Sequence, residues 1–210
     1  MGASVPRVTT RVNARRRHRP AQAAAQNTGR GPRYHAPQMR PFLLAFAVLI
    51  AGVHLGAQRR PDVRYLPTPQ NVVDAMLEFV QVGPGDVVYD LGSGDGRIPI
   101  TAALRYGARG VGIEIDPVLV RRSEEQARRA GVADRVRFIT GDLFQADMSE
   151  ATVVTLFLLP GMNIELIPKF RTQLRPGSRI VAHHFAMGGR WEPEAERDVD
   201  GLMIYRWTVP

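Results

Sequence analysis

From residue 65 onward, short apolar runs alternate with longer stretches of helical periodicity, and glycine or proline separates most of them. Such short runs are typical of buried strands, whereas the longer stretches repeat apolar residues at the three- and four-residue spacing of a helix. Parallel strands joined by helices account for this alternation. The sequence therefore predicts an α/β fold, a doubly wound and mostly parallel sheet with helices on both faces. The predicted strands are residues 87–90, 111–114, 136–140, 153–158 and 179–183.

Capping residues predict where the helices begin. Thr68 is placed to be the N-cap of a first helix with Pro69 in its first position, and Asp116 with Pro117 repeats this pattern for a helix that runs to about residue 130. Further helices are predicted at residues 97–106 and 164–174. A last apolar run, residues 202–208, follows the fifth strand without a helix between them, so we expect an antiparallel edge strand. The buried face of the first helix is predicted to comprise Val72, Val73, Met76, Leu77 and Val80.

The positive charge of the chain belongs to its first 60 residues. These contain 11 arginines and no acidic residue, whereas the remainder holds 17 basic and 20 acidic residues, a net charge of −3. A nucleic-acid-binding face on the folded part is therefore not expected. Cysteine is absent, which excludes disulfides, thiolate metal sites and a cysteine nucleophile. No metal site is predicted.

The chain is predicted to have three parts. Residues 1–38 read as a disordered basic tail, or as untranslated sequence if Met39 is the true start. Residues 39–60 contain an apolar stretch, 42–57, whose 16 residues lie between the roughly 17–25 of a spanning helix and the roughly 7–15 of a signal-peptide core. A membrane anchor, a signal segment and a buried helix all remain open for it. Residues 61–210 form the folded domain.

A glycine-rich loop follows the first predicted strand, where ligands bind in sheets of this kind. The strand ends at Asp90, and the loop is Gly92, Ser93, Gly94, Asp95 and Gly96. Its third glycine comes one residue earlier than in the G-x-G-x-x-G loop of dinucleotide sites. The two carboxylates would repel a pyrophosphate but attract a ligand that carries an ammonium and a sulfonium. S-adenosylmethionine is such a ligand, and a nicotinamide oxidoreductase is disfavoured.

Acidic residues also follow the next two strands. Glu114 closes the second strand and is predicted to accept hydrogen bonds from both ribose hydroxyls, while Asp116, its rival for this role, is assigned to helix capping. Asp142 follows the third strand and is predicted to bind the adenine amino group, with Leu143 packing on the ring. A plain turn is the alternative for Asp142.

The segments DLGSGDG, GIEID and GDLF, in this order, resemble the class I (seven-strand, Rossmann-like) methyltransferases. The YLPTP segment at residues 65–69 and ATVVTLFLLP at 151–160 are similar to the small membrane-anchored protein-lysine methyltransferases, a family that includes the enzyme acting on the ATP synthase c-subunit. The resemblance implies S-adenosyl-L-methionine as donor and a lysine of a protein as acceptor. It also disfavours DNA adenine and glutamine methylation, whose Asn/Asp-Pro-Pro-aromatic motif is absent.

The sequence says less about the methyl acceptor than about the donor. Bacterial relatives carry Ser-His-Asp-Phe after the fifth strand, where this chain has Ala182, His183, His184 and Phe185, so the substrate is open. An amine acceptor must be neutral to attack, and a desolvated channel or a base would help. Tyr65 and residues 157–160 are candidate channel walls. His183 and His184 are candidate bases, with a structural role as the alternative, and Tyr65 is also a catalytic candidate.

Two alternative functions and a cellular location are also predicted. The chain could methylate a small molecule or another residue type, or it could bind the cofactor without turnover. Because S-adenosylmethionine is made inside cells, the favoured arrangement is a membrane anchor through residues 42–57 with a cytoplasmic domain. Export through a signal peptide is the alternative.

Overall fold

Residues 65–210 are described by a computed structural model, in which the predicted strands and one further strand form a seven-stranded sheet. The predicted tail (1–38), the apolar segment (39–60) and the first residues of the predicted domain lie outside the described residues. The strands are β1 (Val87–Leu91), β2 (Arg109–Glu114), β3 (Val136–Thr140), β4 (Val153–Leu156), β5 (Arg179–His183), β6 (Ala195–Val199) and β7 (Leu202–Thr208).

The sheet has the order β3-β2-β1-β4-β5-β7-β6. The first five strands in this order pair in parallel, which confirms the predicted doubly wound α/β fold. The chain builds outward from β1 to β3 and then returns to the other side of β1 to begin β4. The carboxyl ends of β1 and β4 therefore flank the switch point where α/β sheets bind ligands.

The final strand pairs antiparallel with β5, as predicted. A strand that the sequence did not predict, β6, lies beyond it and forms the outermost position through antiparallel pairing with β7. Its sequence, AERDV, alternates half-buried and exposed residues and carries three charges, so it lacks the apolar signal of a buried strand. Charged side chains are typical of edge strands because they oppose pairing with another chain.

Within residues 65–210, four helices cover the sheet: α1 (Gln70–Phe79), α2 (Arg97–Tyr106), α3 (Pro117–Arg129) and α4 (Pro160–Gln173). The apolar residues of α1 and α2 pack with Val88, Val153 and Val181 of the sheet. Residues of α4 pack with alternate side chains of the same strands, such as Val154 and Ile180. Because successive side chains of a strand point to opposite faces, these two clusters lie on opposite sides of the sheet, and β1, β4 and β5 are buried on both.

The starts of two predicted helices were wrong, and the fourth strand ends at Leu156, two residues before its predicted end. Thr68 is not a helix cap, because α1 begins at Gln70 after Pro69 and has no side-chain cap; Thr68 is buried and contacts His183 instead. Helix α4 begins at Pro160, four residues before the predicted start, because proline suits the first position of a helix. The predicted cap at Asp116 is confirmed, since its Oδ1 accepts a hydrogen bond from the Val118 N–H at 2.7 Å.

Candidate functional site

Glu114 organises the loop between β1 and α2. It is 8% exposed at the end of β2. Its Oε2 accepts a hydrogen bond from the Gly94 N–H and its Oε1 one from the Asp116 N–H, each at 2.9 Å. A carboxylate oxygen has two lone pairs, so each oxygen can accept one further hydrogen bond. Glu114 thus fixes the loop while keeping acceptor capacity for a diol.

The glycines of the loop allow close packing that side chains would prevent. Gly92, Gly94 and Gly96 all have positive φ, a conformation that L side chains rarely adopt. A Cβ at Gly96 would lie 2.6 Å from the Phe138 ring and 2.7 Å from Cβ of Ser123. The backbone of the loop is therefore held against β3 and α3, and the exposed Gly92 leaves main chain open at the carboxyl edge of the sheet.

Asp90 is a buried carboxylate at the switch point. It is 4% exposed, and its Oδ1 accepts a hydrogen bond from the Thr155 hydroxyl at 2.7 Å. Burial raises the pKa of Asp90 to about 7, the Thr155 hydrogen bond opposes this, and the negative charges of Glu114 and Asp95 add to it. A cation bound beside Asp90 would favour its ionised form. Thr155 lies in an apolar run of the sequence. Its hydrogen bond to Asp90 arises because the register of β1 with β4 places the two residues side by side.

The negative charge of Asp95 is balanced by an ion pair with Arg97. Arg97 donates to both of its oxygens, from Nε to Oδ1 at 2.9 Å and from Nη2 to Oδ2 at 2.7 Å. Burial alone would raise the pKa of Asp95, but Arg97 and a hydrogen bond from Tyr65 hold it below its ordinary value. The expectation that Asp95 attracts a cationic ligand is thereby weakened, because its charge is already balanced. Arg97 is a site residue that the sequence analysis missed.

Tyr65 and Thr68 form a strap over the loop, here defined as residues 65–69. The ring of Tyr65 occupies the space that a Cβ on Gly94 would need. The Tyr65 hydroxyl donates a hydrogen bond to the carboxylate of Asp95. Arg97 Nη1 donates to the Thr68 carbonyl at 2.8 Å. The strap is thus joined to the loop through Tyr65 and to the start of α2 through Thr68. The place of Tyr65 in a channel wall stays a prediction.

The other predicted cofactor residues occupy the same edge with different exposures. The hydroxyl of Ser93 is buried without a hydrogen-bond partner and lies against Gly112, so Ser93 does not present it at the open side of the loop. Asp142 forms the turn that was its alternative, since its Oδ1 accepts from the Phe144 N–H at 2.9 Å. Leu143 is half-buried against the core. Their contacts with adenine remain predictions.

The two histidines differ sharply. His183 closes β5 with 2% exposure, and its Nδ1 lies 3.3 Å from the Thr68 hydroxyl. Burial lowers the pKa of His183 to about 4, with a smaller contribution from His184. His184 is exposed and has a φ of 71°. A neutral imidazole of such low basicity is poorly suited to remove a proton from an ammonium, so His183 does not fit the predicted role of base.

These groups fit a ligand with a positive charge and a ribose. Asp90 offers a buried carboxylate with no cationic side chain hydrogen-bonded to it within the described residues. Glu114 offers two oxygens with spare lone pairs, and the exposed Gly92 allows close approach of a ligand at the open side of the loop. Within residues 65–210, no cluster of three or more histidine, aspartate or glutamate side chains could hold a metal ion.

Comparison with known proteins shows that the chain is similar to methyltransferases. Residues 90–195 match the family described as the ANTKMT methyltransferase domain. The chain is 46% identical over 154 residues to a protein-lysine N-methyltransferase of Saccharolobus islandicus, which covers 71% of this chain and 95% of that protein. It is 36% identical to an ATP synthase c-subunit lysine N-methyltransferase of Xenopus laevis, covering 66% of this chain and 60% of that protein.

Solved structures add the bound product. An RNA methyltransferase from Salinibacter ruber in complex with S-adenosyl-L-homocysteine is 59% identical, with a TM-score of 0.68, and covers 69% of this chain and 94% of that chain. A methyltransferase from Geobacter sulfurreducens, also with S-adenosyl-L-homocysteine, is 28% identical with a TM-score of 0.51, and covers 66% of this chain and 53% of that chain. Among the helices of residues 65–210, none has the length and apolar character needed to cross a membrane.

Proposed function

Because the chain belongs to the family of class I S-adenosylmethionine-dependent methyltransferases that includes the protein-lysine N-methyltransferases, we propose that it transfers a methyl group to a lysine side chain of a protein. The observation that carries this proposal is the 46% identity to a protein-lysine N-methyltransferase along 95% of that enzyme. S-adenosyl-L-methionine is the methyl donor, in keeping with the product-bound structures of relatives.

The carboxyl edge of the sheet supplies a group for each part of the donor. In our proposal Glu114 accepts the two ribose hydroxyls through its remaining lone pairs, and Asp90 faces the cationic amino acid end. The main chain of Gly92, Ser93, Gly94 and Gly96 forms the floor on which the donor lies. Asp142 and Leu143 are proposed to border the adenine. Asp95 acts through Arg97, by keeping the strap closed over the loop.

Binding of the donor should depend on pH through Asp90. Its pKa of about 7 in the free protein means that few molecules are ionised at pH 6 and most at pH 8. A cation prefers the ionised carboxylate, so we expect affinity for S-adenosylmethionine to rise about tenfold between pH 6 and pH 8. Calorimetric titration across this range measures it. Asp90→Asn should bind more weakly and lose the pH dependence, whereas equal affinity of the unaltered protein at both pH values would contradict the assignment.

The transfer itself needs little acid–base chemistry. A bond forms between the amine nitrogen and the methyl carbon as the bond from sulfur to that carbon breaks, so the leaving sulfur becomes neutral. Positioning can therefore supply much of the acceleration. The lysine must first lose a proton, since its pKa in water is about 10.4. Removal from water into a channel bordered by Tyr65 and Phe157 would lower that pKa.

RNA is the second candidate acceptor, because the Salinibacter ruber relative at 59% identity is described as an RNA methyltransferase. The charge of the folded part opposes this alternative. Residues 61–210 carry a net charge of −3, and the proposed donor site is lined by Asp90, Asp95, Glu114 and Asp142. Proteins that bind RNA through their folded surface usually present a basic face to its phosphates. We therefore favour protein.

The choice can be tested with tritiated S-adenosylmethionine, the full-length protein, and separate membrane and soluble extracts. We expect label in protein, resistant to ribonuclease and recovered as methyl-lysine after acid hydrolysis. Label in RNA or in an extractable small molecule would replace the proposal, and binding without any labelling would indicate a module without turnover. Lys169 is the chain's sole lysine, so a Lys169→Arg enzyme provides a control that cannot methylate its own lysines.

We further propose that the enzyme is held at a membrane by residues 42–57, with its catalytic domain in the cytoplasm. The apolar composition of that segment and the intracellular supply of the donor support this arrangement. An alkaline phosphatase fused after Pro210 in a bacterial host should remain inactive, with the fusion in the membrane fraction. Periplasmic phosphatase activity would indicate export instead.

A further inference from the structure

Three polar side chains lie on one face of the sheet at its carboxyl edge. Asp90 and Val88 share a face of β1, Thr155 and Val153 share a face of β4, and alternation places His183 with Val181 on β5. Val88, Val153 and Val181 all belong to the cluster that packs against α1. His183 therefore stands on the same side as the buried carboxylate proposed to face the donor, two strands away.

His183 is held on two sides. Its Nδ1 lies 3.3 Å from the hydroxyl of Thr68 in the strap, and its ring centroid lies 4.0 Å from that of Phe157, which follows β4. The other ring nitrogen, Nε2, is buried and has no hydrogen-bond partner. A buried N–H without a partner is rarer in proteins than a buried acceptor without one. The arrangement therefore favours the tautomer in which Nδ1–H donates to Thr68 and Nε2 carries only its lone pair.

We propose that His183 binds the acceptor amine: its bare Nε2 accepts a hydrogen bond from an N–H of the substrate lysine, while Thr68 holds the ring through Nδ1. This role rests on the proposed function and deepens it. It orients the amine so that its lone pair can point toward the methyl group of the donor. The proton that the lysine must lose goes to solvent, and His183 accepts a hydrogen bond without taking that proton.

A neutral acceptor suits this reaction better than a carboxylate would. A negative charge beside the lysine would stabilise its ammonium form and so raise its pKa, whereas an uncharged imidazole in a buried setting does so much less. The low basicity of His183 keeps the ring neutral throughout the physiological range. The same nitrogen also discriminates between acceptors, since it can receive a hydrogen bond from an amine but offers none to a carbonyl oxygen.

The tautomer can be determined without knowing the substrate. Nitrogen-15 NMR of the imidazole rings in the full-length protein, saturated with S-adenosylhomocysteine, should show His183 with its proton on Nδ1 and a bare Nε2. Addition of n-butylamine, a mimic of the lysine side chain, should shift the Nε2 resonance. A proton on Nε2 would overturn the proposal, because the nitrogen could then not accept.

Activity provides the second test, with tritiated donor and total extract protein as the probe. His183→Phe keeps a ring of similar size but no acceptor, and we expect labelling of lysine to fall about 30-fold. His183→Gln places an amide oxygen near the same point and should lose less. Affinity for S-adenosylhomocysteine should stay within about twofold of the unaltered enzyme in both, as expected when only the acceptor side changes.

A role for His183 in folding alone predicts a different pattern. His183→Phe would then label lysine at the normal rate once folded, which overturns the inference and leaves the proposed function intact. Label in RNA in place of lysine would overturn both. If His183→Phe does not fold, Thr68→Val removes the partner of Nδ1 without touching the ring. We expect it to lower lysine labelling about fivefold, and an unchanged rate would count against the proposal.

Discussion

Replacing Glu114 by glutamine is expected to weaken the binding of S-adenosylmethionine about 100-fold, or about 2.7 kcal/mol. The substitution removes the charge that strengthens hydrogen bonds from the two ribose hydroxyls. It also puts an NH₂ group where one carboxylate oxygen accepts a backbone N–H, either that of Gly94 or that of Asp116. The loop therefore loses a fixed point at the same time as the ligand loses its partner.

Calorimetric titration with S-adenosylmethionine and with S-adenosylhomocysteine measures the effect. Asp116→Asn is the matched control, because asparagine caps helices about as well as aspartate, and Asp116 is assigned to capping α3. Its affinity should stay close to that of the unaltered enzyme. If the two variants lose affinity equally, Glu114 does not bind the ribose and the sequence-based assignment to Glu114 over Asp116 fails.

Replacing Gly96 by alanine is expected to lower the free energy of unfolding by about 3–4 kcal/mol, combining a strained backbone with overpacking. Gly96 has a φ of 78°, and an added Cβ would lie 2.6 Å from the Phe138 ring and 2.7 Å from Cβ of Ser123. The Phe138 atoms are the tip of a half-buried ring, but Cβ of Ser123 is attached directly to the backbone of α3 and cannot turn away. The loop must therefore move away from α3 and β3, and we expect donor binding to fall with stability.

A second glycine separates the two causes. Gly131, which follows α3, has a φ of 71° but has no atom within 4 Å of an added Cβ. Gly131→Ala should therefore cost only the backbone term, about 1 kcal/mol. Urea unfolding of both variants, followed by circular dichroism, gives the comparison. Equal losses would mean that the close packing around Gly96 adds nothing to the cost.

Much of the site could be predicted from sequence because its main parts are local. Asp90 and Gly92–Gly96 are contiguous, and Glu114 is recognisable as the acidic end of the next strand. The fold could be predicted for a similar reason, since each buried strand carries its own apolar signal. The strand β6 could not, because an edge strand with alternating charges resembles a loop.

The electrostatic balance of the site was not predictable in this way. Asp95 reads as a second negative charge for the ligand, yet Arg97, two residues later, neutralises it. Thr155 meets Asp90 across 65 positions, and Thr68 meets His183 across 115. Such contacts depend on strand register and on the path of the strap. Thr68 illustrates the difficulty, because its position before Pro69 predicts a helix cap while its hydroxyl is used elsewhere.

The strap has a practical consequence for anyone shortening this protein. Secondary structure would place the start of the domain at Gln70, where α1 begins, and a chain cut there would keep every helix and strand described above. It would nevertheless lose Tyr65 from the glycine loop, and Thr68 from both Arg97 and His183. Circular dichroism would show normal secondary structure, although the strap would be missing from the catalytic edge of the sheet. The functional boundary of this domain therefore lies at least five residues before its first helix.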